Sequence, residues 1–287
     1  MTFLRKRIAL GAAMFAAAAA SPCAAQVVDL FSPATIHGVV DLRAGAADGE
    51  TSFTLAEFGK ARFGGDGGPG LRGNVEVANA TLEWTPRFSW DLSAVVDAVV
   101  QPGQELPIDI GQAYLLYKPV PTSSTRFQFR AGLFYPPVSL ENDSRAWGVT
   151  DTITPSAINS WIGEEVKVVG VEGKVSHDFG DQAISATAGV FSFDDTAGTL
   201  LAFRGWAMDD SVGQLNGRYL LPPLSPFIAS VQNNESYTTR DIDNRAGLYG
   251  RAEWRTPAGI TLSCGPCSIG ITPAGVTING VTVDVTA

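Results

Sequence analysis

The chain has 287 residues, 31 of them glycine, and a formal net charge of -9 at pH 7. Such an acidic chain offers no basic stripe to neutralise phosphates, which argues against nucleic-acid binding. Abundant glycine and scarce lysine, with turn residues recurring between short apolar runs, favour an all-β protein with many turns.

The N-terminus has the three parts of a secretory signal peptide. Residues 5–7 carry three positive charges, residues 8–20 are apolar and uncharged, and small residues follow at 23–25. A membrane-spanning helix needs about 20 apolar residues, and this run is shorter. We therefore expect residues 1–25 to be a signal peptide that is cleaved after Ala25.

After the signal, apolar and polar residues alternate with a period of two, which predicts β-strands. The segment 126–133 is a clear case, with Phe127 and Phe129 on one face and Arg126 and Arg130 on the other. The segments 88–98 and 245–255 alternate equally well. A weaker alternation of the same kind occurs at residues 36–43, 74–84, 108–118, 184–190 and 165–177. In the last of these the alternation slips near Gly170, where we expect a β-bulge.

A half-exposed soluble β-sandwich also alternates, so the strands alone leave two architectures open. The predicted strands run to around ten residues, the length that crosses a bilayer at a tilt. Aromatic residues near strand ends are typical of the girdle at a membrane interface: Trp84, Phe88, Trp90, Tyr117, Phe134, Tyr135 and Trp254. Charges within strands fall on one face only. These features favour an antiparallel transmembrane β-barrel over an exported sandwich.

Several motifs lie between residues 26 and 263: Gly38–Arg43 (GVVDLR), Asp48–Glu50 (DGE), Phe58–Gly64 (FGKARFG), Gly132–Asn142 (GLFYPPVSLEN), Thr154–Trp161 (TPSAINSW), Arg204–Ala207 (RGWA) and Asp241–Arg245 (DIDNR). Together they resemble a proteobacterial porin-like family that is similar to phosphate-selective porins. The resemblance implies that residues 26–263 form an outer-membrane β-barrel, which contacts lipid and passes small polar or anionic solutes.

The chain departs from this family pattern at its C-terminal tail, residues 264–287. The family continues with further strands, and outer-membrane barrels usually end on an aromatic residue, whereas this tail holds one candidate hairpin and ends at Ala287. We count about eight to eleven candidate strands, fewer than the roughly 16 of a water-filled porin. We therefore expect the tail to be a truncated or frameshifted end.

The candidate functional residues are charged side chains on the polar side of the predicted strands. Arginines offer phosphate or carboxylate a fixed fork of donors: Arg43, Arg126, Arg130, Arg245, Arg251 and Arg255. Acidic residues share that side: Asp41, Asp91, Asp97 and Glu253. Two interpretations therefore stay open, a selective track for anions and a solvated lumen whose charges pair with one another.

Residues 135–163 form a long segment without a strand pattern. Such segments are usually functional or disordered. We expect an ordered loop here, because Trp147, Trp161 and the pair Ile153 and Ile158 can pack. The loop would either constrict the pore or cap the outside of the barrel.

Residues that could carry other chemistry are few. His37 and His177 lie in no recognisable catalytic motif. Cys264 and Cys267 have redox spacing but no helix to activate a thiol. The acidic pairs at residues 164–165, 194–195 and 209–210 lack the further oxygens that calcium needs, so we expect solvated turn residues. We therefore expect no enzyme, no cofactor and no metal.

The sequence as a whole predicts a passive channel of the outer membrane for small hydrophilic solutes, anions among them. Two alternatives stay open: an exported barrel or sandwich that binds a ligand without conducting, and an outer-membrane hydrolase. The solute, the strand number and the oligomeric state, a homo-oligomer included, are left open by the sequence.

Overall fold

The structure is a computed structural model that describes residues 28–137, 139–142, 144–162, 167–193, 196–208, 210–239, 245–256, 260–264, 268–271 and 277–279. The predicted signal peptide, the acidic pairs at 164–165 and 194–195, Cys267 and Ala287 lie outside these ranges. The described chain is mostly β-strand with few helices, which confirms the predicted all-β class. Within these ranges no helix has both the length and the apolar character to cross a membrane.

One antiparallel sheet dominates the fold. Its strands are β1 (Ile36–Ala47), β2 (Arg72–Trp84), β3 (Leu92–Val100), β4 (Asp109–Tyr117), β5 (Thr125–Phe134), β6 (Val168–Phe179), β7 (Gln182–Ser192), β10 (Gly247–Arg255), β11 (Ile260–Cys264), β12 (Ser268–Ile271) and β13 (Thr277–Asn279). Each strand pairs with the next along the chain, except that β7 pairs with β10. Between them, β8 (Arg218–Leu220) and β9 (Glu235–Tyr237) form a separate two-stranded sheet.

The sheet is long-stranded but its closure is not observed. The eight strands β1–β7 and β10 have 9 to 13 residues each, which agrees with the strand length expected from the alternation. In the ranges given above, β1 pairs only with β2 and β13 only with β12. The described residues therefore form an open antiparallel sheet.

The β-bulge predicted near Gly170 is wrong. Gly170 stands opposite Gly132 of β5 and Phe191 of β7, and β6 keeps a continuous register with both neighbours. The alternation is interrupted in the sequence because Val168, an apolar residue, lies on the polar side of the sheet. Val168 is the first residue of β6, next to the 135–167 loop, and is fully buried there. Bulges occur elsewhere, in β2 opposite Asp41 and Leu42, and in β4.

The strand predicted over residues 88–98 begins later than expected, at Leu92. The amides of Phe88 and Ser89 both donate to the Leu92 carbonyl, at 2.9 and 3.1 Å, and close a turn. The Ser89 hydroxyl accepts from the amides of Asp91 and Leu92 at 3.2 and 3.0 Å. A serine that bonds to its own backbone neighbours favours a turn over a strand, whatever the alternation around it.

The connections at the two ends of the sheet differ in length. At one end, the turn end, they are short: residues 85–91, 118–124, 180–181 and 256–259. At the other, the loop end, the four connections among β1–β7 and β10 are longer: residues 48–71, 101–108, 135–167 and 193–246. The connection between β11 and β12 at this end has only three residues, 265–267. Because neighbouring strands are antiparallel, every long loop rises from the same end, and these loops meet there.

The last of these loops contains a small folded unit, the cap segment (residues 196–208 and 210–239). It holds α1 (Ala197–Arg204), the hairpin of β8 and β9, and α2 (Pro226–Ala229). Its own apolar core is built from four buried side chains, Leu200, Met208, Tyr219 and Leu221. An apolar cluster therefore lies in a loop insertion rather than beneath the sheet.

Candidate functional site

One face of the sheet, the apolar face, presents hydrophobic side chains to the exterior. Leu42, Val171 and Leu248 are 69%, 56% and 76% exposed. Register places such residues side by side, since Val171 stands between Ala131 and Val190 on the adjacent strands. Other exposed members are Val40, Val75, Val77, Leu82, Leu115, Phe127, Phe129, Val175 and Ile184.

The opposite face, the polar face, carries the charged side chains and is more buried than the apolar face. Its buried members include Glu83, Asp97, Gln112, Glu172, Ser185, Thr187 and Glu253. In a water-soluble antiparallel sheet the apolar side is buried and the polar side is solvated. This sheet has the reverse distribution.

An ion-pair cluster joins β5, β6 and β10 across the polar face. Arg130 donates from Nη2 to Glu172 Oε2 at 2.8 Å, and its Nε lies 2.7 Å from Oε1. The Tyr249 hydroxyl donates to the same Oε2 at 2.6 Å. The Arg130 guanidinium also lies 4.1 Å from the Phe134 ring centroid. Glu172, with a side chain only 4% exposed, thus holds three strands through charge-assisted hydrogen bonds.

A second cluster lies along β10. Glu253 accepts from Arg251 Nη2 at 3.0 Å and from Arg255 Nε at 2.6 Å. Arg251 Nη1 also donates to the Pro137 carbonyl at 2.8 Å, which ties the 135–167 loop to the polar face. The predicted pore-lining residues of β10 therefore form one paired group.

A third cluster surrounds Asp210 at the loop end. Arg62 donates to its carboxylate from Nε at 2.9 Å and from Nη2 at 2.6 Å, and Arg43 donates to it as well. Arg43 also binds Asp41, at 2.6 Å from Nη2. Burial by itself disfavours the Arg62 charge, but hydrogen bonds and attraction from Asp210, and then from Glu76, raise the pKa of Arg62 above its ordinary value.

Asp210 was expected to be a solvated turn residue, and that expectation is wrong. Its side chain is only 3% exposed. Two guanidinium groups converge on the carboxylate, and this pairing offsets the cost of taking the charge out of water. Asp209, its neighbour in the sequence, lies outside the described residues.

The remaining candidates are distributed as follows. Arg126 forms an exposed ion pair with Asp178 at 2.5 Å. Asp97 accepts from Gln112 Nε2 at 2.7 Å. Asp91 is not on a strand as expected, because the Ser89 turn precedes β3, and its Oδ1 accepts from the Val120 amide at 2.9 Å. Arg245 lies just before β10, outside the strand.

Sequence reasoning missed some members of these clusters. Glu172 lies on β6, where the alternation of neighbouring residues could have placed it on the polar face. Arg62 and Asp210 lie in loops, where no periodic pattern identifies a side that faces the sheet. Only their approach to Arg43 in space reveals them.

A cavity of about 900 Å³ opens between the polar face of β1 and the loops above it. Arg43, Lys60, Arg62, Trp147, Trp161 and Asp210 are among its lining residues. Lys60 Nζ lies 4.7 Å from the Trp161 ring centroid. Charged and aromatic groups thus share one concave surface, which suits small polar solutes.

The 135–163 loop is folded as expected in one respect and not in another. Trp147 stacks on Tyr135, with ring centroids 4.5 Å apart and planes 6° apart. Ile153 and Ile158 were expected to pack but are 78% and 60% exposed. The Ile153 carbonyl accepts from Arg43 Nη2 at 3.0 Å, so Ile153 is held through its backbone rather than through its side chain.

In the described part of the chain, no group of three or more His, Cys, Asp or Glu side chains is arranged to hold a metal ion. No protein-family model, curated protein or solved structure matches this chain.

Proposed function

We propose that the chain is a porin-like channel of the outer membrane through which small hydrophilic solutes diffuse passively. The observation that carries the proposal is the reversed polarity of the sheet. Apolar surface exposed to water costs about 25 cal/mol per Å² relative to burial, whereas lipid accepts it. Charged side chains on the other face are compatible with a water-filled lumen.

The connections between strands support the same proposal. Outer-membrane barrels have short turns at the periplasmic end and longer loops outside the cell. Here the turn end and the loop end differ in this way. Exposed aromatic side chains also gather near the turn end, as an interfacial girdle would: Phe88, Trp90, Tyr117, Phe127, Phe179 and Trp254.

A sheet in lipid cannot leave an edge strand unpaired, because hydrocarbon offers no hydrogen bonds to free backbone groups. The proposal therefore requires β1 to find a partner strand and the sheet to close into a barrel. Closure of the sheet into a barrel is therefore the strictest requirement of the proposal, and a detergent gel of heated and unheated samples tests it.

The lumen we propose has paired charges rather than an open ladder of arginines. Arg130 is neutralised by Glu172, and Arg251 and Arg255 share Glu253. Arginines engaged in this way offer few donors to a passing anion, so weak rather than strong anion preference is expected. No enzyme activity and no cofactor enter the proposal.

The test begins with the outer-membrane fraction on a detergent gel, heated and unheated. A closed barrel resists detergent, so the unheated sample should migrate faster. Purified protein should then give conductance steps in a planar bilayer, with an anion permeability only slightly above the cation permeability. Absence of both the gel shift and conductance would refute the proposal. A gel shift without conductance would favour a barrel that binds a ligand, which the loop-covered cavity also suits.

A further inference from the structure

The cap segment crosses the polar face from one side of the sheet to the other. It leaves the sheet at β7, yet the Leu215 amide donates to the Ile110 carbonyl of β4 at 2.8 Å. Asn216 donates to Asp109, at the start of β4, from its amide at 2.7 Å and from Nδ2 at 3.1 Å. β5 and β6 lie between β7 and β4 in the sheet. The cap therefore extends over the loop end of the intervening strands.

The cap meets the strands and the 101–108 loop through polar contacts. The Val212 amide donates to Gln101 Oε1 at 2.9 Å. Arg218 and Gln104 exchange two hydrogen bonds, at 2.7 and 3.0 Å. An aromatic contact, Phe53 against Trp206 at 5.3 Å, joins the cap to the 48–71 loop rather than to a strand. A unit with its own apolar core and a polar interface can separate without exposing that core.

Asp210 connects the cap directly to two other elements, and through Arg43 to a third. Its carboxylate binds Arg62 of the 48–71 loop with two hydrogen bonds, and Arg43 of β1. Arg43 in turn binds the Ile153 carbonyl of the 135–167 loop at 3.0 Å. This single buried carboxylate, in the wall of the cavity, thus holds the cap, a strand and two loops together.

We propose that Asp210 is the latch of a cap that closes the channel at its loop end. The proposal rests on the channel function argued above. In this structure the latch is closed, and conduction requires the cap to move off the cavity. Without the Asp210 carboxylate, two guanidinium groups would face one another with no shared counter-charge. Arg43 would keep Asp41 and Arg62 would keep Glu76, so the strands would hold while the closed position of the cap loses its ion pairs.

The test compares the full-length chain with its Asp210→Asn and Asp66→Asn variants in lipid vesicles. Asp66 is a matched control because it lies in the same loop as Arg62 and is exposed. Its ion pair is with Arg72, the first residue of the strand that follows this loop, and among the described residues that pair does not involve the cap. Limited trypsin digestion reports opening through cleavage after Arg218, whose hydrogen bonds to Gln104 are lost when the cap separates. Each charge-assisted hydrogen bond lost should shift the closed-to-open ratio by about tenfold. Cleavage should accelerate by at least about tenfold in Asp210→Asn and stay unchanged in Asp66→Asn, since it follows the open population.

Conductance of the same three proteins in planar bilayers completes the test. Faster cleavage together with a larger open fraction in Asp210→Asn supports the latch. Unchanged cleavage overturns it, and so does faster cleavage with unchanged conductance in a conducting wild type. If none of the three proteins conducts although all give the gel shift, the channel function fails and the gate fails with it. The cleavage rates would then still measure whether the ion pairs of Asp210 hold the cap in its closed position.

A second variant covers the case in which Asp210→Asn does not fold and gives no gel shift. Arg62→Gln removes the two-bond contact from the loop side and leaves Arg43 on the carboxylate. It should change cleavage and open fraction in the same direction but less. No change in either quantity would overturn the latch.

Discussion

Replacing Val171 by arginine tests directly which solvent the apolar face contacts. Val171 is 56% exposed, and its register neighbours Ala131 and Val190 offer no carboxylate to a new cation. Val231 in the cap segment is 81% exposed and allows the same substitution away from the sheet. In water, both changes lie on the surface and should alter stability by no more than about 0.5 kcal/mol each.

In lipid the two substitutions should differ. β6 spans Val168–Phe179, so Val171 lies between two and three residues from its midpoint, roughly 8 Å along the strand and less along the bilayer normal because strands tilt. Arginine on the lipid face costs about 2–4 kcal/mol at the midplane and about 0–1 near the interface. A loss of about 2 kcal/mol is therefore expected for Val171→Arg, and none for Val231→Arg.

The measurement is a urea titration of each variant refolded into lipid vesicles, followed by tryptophan fluorescence, with the free energy of unfolding extrapolated to water. The predicted result is a difference of about 2 kcal/mol between the two variants. Equal stabilities within about 0.5 kcal/mol would mean that water covers the apolar face. The proposal that this sheet spans a membrane would then be wrong.

Two further predictions concern the polar face, both read from urea titrations. Gly132→Ala should lower the free energy of unfolding by about 1–3 kcal/mol, because Gly132 has φ 139° and an added Cβ would lie 2.3 Å from a backbone atom. Gly38→Ala is the control and should be neutral, because a Cβ added there meets nothing within 4 Å. Comparable effects at both sites would contradict this. Glu172→Ala should lower the free energy of unfolding by about 3–5 kcal/mol, because it leaves Arg130 buried without its carboxylate. Asp178→Ala, at an exposed ion pair, should lower it by only about 0–1 kcal/mol. A small loss for Glu172→Ala would show that water replaces the pair.

Strand positions followed from the sequence at most of the segments with an unbroken alternation. The segment 126–133 was predicted and β5 spans Thr125–Phe134. Prediction failed where a neighbour in space or a local hydrogen bond overrode the period. The Ser89 hydroxyl turned residues 88–91 away from the strand, and burial of Val168 beneath loops imitated a bulge.

The candidate site was predictable only in part. Parity within one strand is enough to place Arg130 and Glu253 on the polar side from the sequence alone. Parity could not supply partners from other elements, so the role of Asp210 was missed. Arg43 of a strand and Arg62 of a loop had to converge on it before its charge could be buried.

The sequence by itself determined which residues of a strand share a face, because a period of two is a property of neighbouring residues. It also determined that charged residues share one of those faces. Only the tertiary structure decided which face the loops bury and which strands stand in register, since a slip of one residue exchanges the faces. Arg43 and Asp210 lie 167 positions apart in the chain. Their contact depends on the fold of the cap and on the path of two other loops, and no local pattern encodes that path.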